Sequence, residues 1–265
     1  MRAAIALYLA LLHVSLWCSG ASQPVPKLEQ VLPRVQEHVR EFELLLPDFI
    51  CDETITSREL IGGVIQHETV IDSSFRGTQH TDEKDQPFTE SREIRTIDGR
   101  PAAKNQPLKG PFFFGGGFSS LLDEIFSQKN AQYFRYKVLG WEKLQDRDAL
   151  VLRFETRPGQ QKLLHREILG AQTVLKGKGK AWLDPASWNV MRLELEYLDP
   201  PFAEGVLTVA IDYAEVEINE KKFWMPRAVK ADQTVPNPKM PVTGQYIAQY
   251  SNYHQFNVSV KIKYQ

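Results

Sequence analysis

Apolar side chains recur along this chain with two different periods, and their order predicts an architecture. Between residues 28 and 46 the step is three or four. Leu28, Val31, Leu32, Val35, Val39, Phe42, Leu45 and Leu46 form one stripe, as in a helix that covers a core. Pro33 marks a first turn or a kink, because an interior proline removes a backbone hydrogen bond, and Pro47-Asp48 ends the helix. From residue 49 onward the period is two. Strands are predicted over 49–60 and 64–75, joined by Gly62-Gly63, and over 88–97, closed by Asp98-Gly99.

The second half of the chain is strand almost throughout, over 133–141, 149–156, 179–183, 190–198 and 223–235. The hairpin within 176–196 turns on Asp184-Pro185-Ala186-Ser187: Asp184 can accept from the backbone two residues on, and Pro185 fixes φ. Its return strand sets Leu193, Leu195 and Tyr197 against Arg192, Glu194 and Glu196, so Trp182, Leu193, Leu195 and Tyr197 are the expected inward positions. Leu207, Val209, Ile211 and Tyr213 share one parity and Val216 and Ile218 the other, which predicts a β-bulge near Ala214-Glu215. A last strand alternates Phe256, Val258, Val260, Ile262 and Tyr264 with polar residues. About ten strands and one long helix predict a mainly β (α+β) fold. The expected form is a strongly curved antiparallel sheet, open or closed, with one long N-terminal helix and one short helix.

One segment breaks the alternation. After Pro101 the chain runs through Pro, Lys and Gly to Phe112-Phe113-Phe114-Gly115-Gly116-Gly117-Phe118. Ser119 can then cap a short helix carrying Leu121, Leu122, Ile125 and Phe126. Either these side chains fill the core while the glycines let the chain turn, or the segment is a mobile apolar lid or docking patch.

The first residues read as an export signal. Arg2 precedes an apolar run over 3–17, and Ser19-Gly20-Ala21 offers small residues for cleavage, giving a signal peptide of 1–21 and one domain of 22–265. Trp17 before Cys18 argues against lipidation, and no later stretch is long and apolar enough to span a membrane as a helix. The charges, 32 basic against 33 acidic, nearly cancel, and no basic stripe suggests nucleic acid. The mature chain keeps Cys51 alone, so no internal disulfide forms, which for an exported chain fits a bacterial periplasm or cell surface.

Templates for chemistry fail in turn. Gly117-Phe118-Ser119-Ser120-Leu121 lacks the second glycine of a nucleophile elbow, and Gly177-Lys178-Gly179-Lys180 lacks phosphate-loop spacing. His38, His67, His80, His165 and His254 make no metal-ligand pair, and the acidic loop 80–85 lacks the glycine and terminal glutamate of a calcium loop. Cys51 reads as a small buried hydrophobe. No enzyme activity, metal or cofactor is expected.

The order of export signal, amphipathic helix, Leu46-Pro47-Asp48-Phe49-Ile50-Cys51, strands, Trp182-Leu183-Asp184-Pro185-Ala186-Ser187 and a terminal Tyr250-Ser251-Asn252-Tyr253-His254-Gln255-Phe256 resembles uncharacterised secreted bacterial proteins akin to the LolA/LolB lipoprotein-carrier superfamily. That resemblance implies an unclosed barrel with a helical lid over a cavity for acyl chains. The chain is larger than the short carriers and has no counterpart of the arginine implicated in their ligand release. The expected function is non-catalytic binding of a lipid or acyl chain. Its lining would come from Phe112, Phe113, Phe114, Phe118, Leu121, Leu122, Ile125, Phe126, Trp182, Leu193, Leu195 and Tyr197. The expected partners are a lipid, an acylated protein or an envelope protein. The alternatives are an envelope scaffold with a packed interior and, further off, a hydrolase or isomerase.

Overall fold

The computed structural model describes residues 24–79, 88–115, 118, 120–159, 165–168, 171–174, 176–198, 205–237 and 239–256. The expected export signal, the acidic loop 80–85, Gly116, Gly117, Ser119 and the alternation beyond Phe256 lie outside these residues. Helix α1 (Leu28–Leu45) leads, with Pro33 inside it and the Gln30 side chain accepting from the Lys27 N–H at 3.1 Å. It buries Val31, Val35 and Val39; of the last two residues predicted for the stripe, Leu45 is exposed and Leu46, just past the helix, is buried.

Eleven strands then form one antiparallel sheet, in the order β4 (Arg100–Pro101), β3 (Phe88–Ile97), β2 (Val64–Gln79), β1 (Phe49–Ile61), β13 (Val242–Gln255), β12 (Lys221–Val235), β11 (Val206–Ile218), β10 (Val190–Leu198), β9 (Lys176–Leu183), β6 (Arg147–Thr156) and β5 (Phe134–Leu144). The sheet curls without closing, since β4 and β5 end it at opposite edges and do not pair. A separate hairpin joins β7 (His165–Ile168) to β8 (Ala171–Val174). The first and last strands are neighbours, paired from Phe49↔Gln255 to Ile61↔Val242.

Local chemistry accounts for these turns. Gly62 and Gly63, at φ 59° and 83°, make the tight β1–β2 hairpin that a side chain would strain. Asp184 closes the β9–β10 turn by accepting from both the N–H and the hydroxyl of Ser187, at 3.1 and 2.7 Å, so its backbone partner is three residues on, not two. The irregularity predicted near Ala214-Glu215 falls between Asp212 and Tyr213, and the extra residue is Arg227 of the facing β12. Alternation then assigns the faces. Leu193, Leu195, Tyr197, Leu207, Val209 and Ile211 point into the main core under α1.

Trp182 does not. It pairs across the ladder with Arg192, while Ala181 pairs with Leu193, so Trp182 lies on the outer face. There it packs with Ala149, Val151 and Met191, and its indole N–H donates to Glu142 at 3.0 Å. The expected inward placement is corrected: a register irregularity between Val190 and Arg192 offsets the two sides of this hairpin.

Candidate functional site

The connection between β4 and β5 must cross the whole sheet, because it joins one edge strand to the other. It does so over the concave face. Its helix α2 (Ser120–Phe126) buries Leu121, Leu122, Ile125 and Phe126, and Phe118 just before it is 2% exposed. Phe118 stacks among Phe49, Phe75 and Tyr250, with ring centroids at 5.4, 4.6 and 5.0 Å. Phe126 meets Phe154 of β6 at 5.8 Å and Tyr136 of β5 at 6.0 Å, and the Tyr136 hydroxyl donates to the Ile125 carbonyl. The segment therefore works as a plug, apolar side inward.

One serine ties the plug by its backbone. Ser57 of β1, fully buried, donates to the Phe112 carbonyl at 2.6 Å and accepts from the Phe112 N–H at 2.9 Å. Phe112 lies directly over Gly244 of β13, where an added Cβ would come within 2.7 Å of its ring. Phe113 sets its edge against Tyr246 at 6.3 Å. Phe112, Phe113 and Phe114 stay half-buried, so the plug is seated more deeply toward its helical end.

Of the residues expected to line a site, the structure gathers Phe118, Leu121, Leu122, Ile125, Phe126, Leu193, Leu195 and Tyr197 into one core, with Phe112, Phe113 and Phe114 at its margin. Trp182 is excluded from it. Between α1, α2 and the sheet lies a cavity of about 20 Å³ whose lining includes Val35, Val39, Phe42, Leu122, Trp188 and Tyr213. A void of that size holds about one water molecule. The plug and the helix fill the concave face.

Beside the plug lies a charged cluster that the alternation pattern did not reveal. Glu53, 0% exposed, projects inward from β1 between Cys51 and Ile55. It accepts from the Ser73 hydroxyl at 2.6 Å and from Arg92 Nε at 2.8 and 3.0 Å, and Arg92 lies over the Phe75 ring at 4.8 Å. Burial opposes the Arg92 charge, but the Glu53 carboxylate outweighs it, and the guanidinium pKa is raised. Burial, with the Tyr246 and Glu53 charges adding to it, holds the Tyr250 phenol well above its ordinary value. Burial, then Glu53, pushes the Cys51 thiol up to about 12, so it is not a thiolate at neutral pH. The signal for this cluster was present in the sequence as a carboxylate set between Cys51 and Ile55 on the apolar parity of a strand.

Among the described residues no group of three acidic, His or Cys side chains is placed to hold a metal ion. The groove on the outer face, about 540 Å³ over β9 to β12, carries cations met by acids, such as Lys178–Glu196 at 3.0 Å and Arg192–Asp212 at 2.8 Å. It reads as a solvated face.

Neither a protein-family model nor a curated protein matches the sequence. The structure is similar to several solved ones. A domain put forward as an outer membrane lipoprotein-sorting protein, from Vibrio parahaemolyticus, is 14% identical over 88% of this chain and 94% of its own, with a TM-score of 0.40. A LolA superfamily protein from Nitrosomonas europaea is 12% identical over 86% and 95%, with a TM-score of 0.37. A DUF1329 family protein from Desulfovibrio piger is 10% identical over 87% and 95%, with a TM-score of 0.37. At these identities no ligand, partner or location passes from those proteins to this chain.

Proposed function

We propose that the protein is a non-catalytic, exported carrier. Its ligand is a lipid or acyl chain, free or on an acylated protein, held on the concave face where the plug now sits. One observation carries this reading: the occupant of that face is a segment whose described residues pair with no strand, seated by apolar side chains and tied to β1 through Ser57. Magnitudes support an exchange. Burying Phe118, Leu121, Ile125 and Phe126 stabilises the closed form by roughly 6–12 kcal/mol at about 1.5–3 kcal/mol each. A chain of about 14 carbons, at ~0.8 kcal/mol per methylene, gains roughly 11 kcal/mol before ordering costs. The two occupants are close enough in free energy for one to replace the other. Catalysis has less support, because the buried Glu53 is engaged by Ser73 and Arg92 and the Cys51 thiol is protonated.

The test is native mass spectrometry of protein from its own source, followed by lipid extraction and titration with a fluorescent fatty acid. A co-purified lipid, or saturable binding that tightens in Phe118→Ala because the competing plug is weakened, is the expected result. Absence of binding in both proteins, each shown to be folded, would sink the carrier. A second reading would then lead, an envelope scaffold with a packed interior, which the cavity of only about 20 Å³ favours.

A further inference from the structure

At the β3 edge of the sheet, the loop after β4 walls an open cavity of about 670 Å³. Its wall is a defined turn: the Ala102 N–H donates to Arg95 at 2.9 Å, the Gln106 N–H to Ala103 at 3.1 Å, and Asn105 takes φ 59°. Three cations reach the cavity, Arg76, Arg92 and Lys104, with Ser91, Asn105 and Gln106 as neutral hydrogen-bonding groups and Glu93 as the acid. Arg76 and Arg92 rise from neighbouring strands on opposite faces, and both reach the cavity because β3 is nearly the last strand.

Both arginines are partly committed. A terminal nitrogen of Arg76 takes Glu93 at 2.7 Å, while its Nε is buried with no partner among the described residues. Arg92 gives its Nε to Glu53, is braced on Phe75, and also lines the cavity. Lys104 makes no ion pair among the described residues. A buried guanidinium N–H without an acceptor is costly, and an anionic oxygen is the acceptor that meets it best.

We propose that this cavity is an oxyanion site, taking a phosphate or carboxylate group between the Nε of Arg76 and the ammonium of Lys104, with the positive charge of Arg92 beside them. Glu53 and Glu93 are held by Arg92 and Arg76, whereas Lys104 makes no ion pair among the described residues and is the cation left to meet an anion. The site does not rest on the carrier reading, since none of its residues is among the apolar side chains that seat the plug.

The experiment is thermal unfolding and calorimetric titration of the full chain with inorganic phosphate at constant ionic strength, beside a short-chain phosphatidate below its micelle concentration. Wild-type protein should show a saturable rise in Tm. Lys104→Met and Arg76→Gln should each weaken binding about tenfold, the loss of one charge-assisted contact, while Lys178→Met on the outer face leaves it unchanged. Lys104 sits on an exposed turn, so its variant folds even if an arginine variant does not. Tighter binding of the phosphatidate identifies a lipid headgroup as the source, and equal binding a free oxyanion; either supports the site. No saturable effect in the wild type, or one that both cavity variants retain, overturns it.

Discussion

Glu53 shows how much one inward position can decide. A carboxylate with no exposure survives in the core because Ser73 and Arg92 satisfy it at 2.6 and 2.8 Å. Taking away its cation leaves an uncompensated buried charge, and that loss exceeds anything the intact pair contributes. Arg92→Met is therefore expected to cost about 3 kcal/mol in urea unfolding. Adding Glu53→Gln should recover part of that loss, and a double variant no more stable than the single one would contradict the pairing. Two strand positions away, Cys51 titrates far from its ordinary value of 9.0, at about 12. Because the folded pKa is raised, its contribution to stability is complete below pH 9 and disappears as the pH climbs toward 12. Alkaline melts should thus flatten across that window in Cys51→Ala, and thiol alkylation of the native protein at pH 8.5 should run only as fast as unfolding exposes the group.

At the scale of elements, the plug and the long helix play different parts. Helix α1 binds by its stripe and by Arg34 stacked on Trp188 at 4.8 Å, at the turn of the β9–β10 hairpin. The plug is held to β1 by Ser57, at its helical end by Tyr136, and owes its close seat over β13 to the missing side chain at residue 244. Gly244→Ala would place a methyl where the Phe112 ring now lies, an overpacking that costs about 1–3 kcal/mol if the ring cannot move. The ring is half-buried and can move outward, so the expected result is faster protease cleavage within residues 102–115 with a smaller loss of global stability. Cleavage at the wild-type rate would mean that the segment belongs to the rigid core.

Over the whole molecule, β13 holds the sheet together. The strands β1 to β4 meet the rest of the sheet only through it, since β13 lies between β1 and β12. Residues about 200 apart in sequence pair there, as Asn252 does when its amide donates to Asp52 at 2.7 Å. A topology that waits on such distant contacts folds slowly. Truncation after residue 241 should therefore strip amide-exchange protection from β1 and β2 while β9 and β10 keep part of theirs. Equal loss in all four strands would show that the sheet has no such division.

What could be read in the chain follows from local periodicity. The step of three and four placed α1 to within a residue, and the step of two with Gly62-Gly63, Asp98-Gly99 and Asp184-Pro185 placed the hairpins, because turns and alternation are written in neighbouring residues. The curved antiparallel sheet was legible on the same grounds, but periodicity left open whether it closes. Strand order was not legible. That β13 joins β1, that Arg227 is the bulged residue, and that Trp182 turns outward are matters of register, which a shift of one residue reverses without altering either strand's own pattern. The phenylalanine segment shows the same division. Its composition left core and lid both open, and only the placement of β4 and β5 at opposite edges made it the span across the concave face. The sequence by itself determined which side chains prefer water and where the chain turns. The tertiary structure decided which of them meet, because the free energy that brings Glu53 to Arg92, or Phe118 to Phe75 and Tyr250, exists only once distant strands lie side by side.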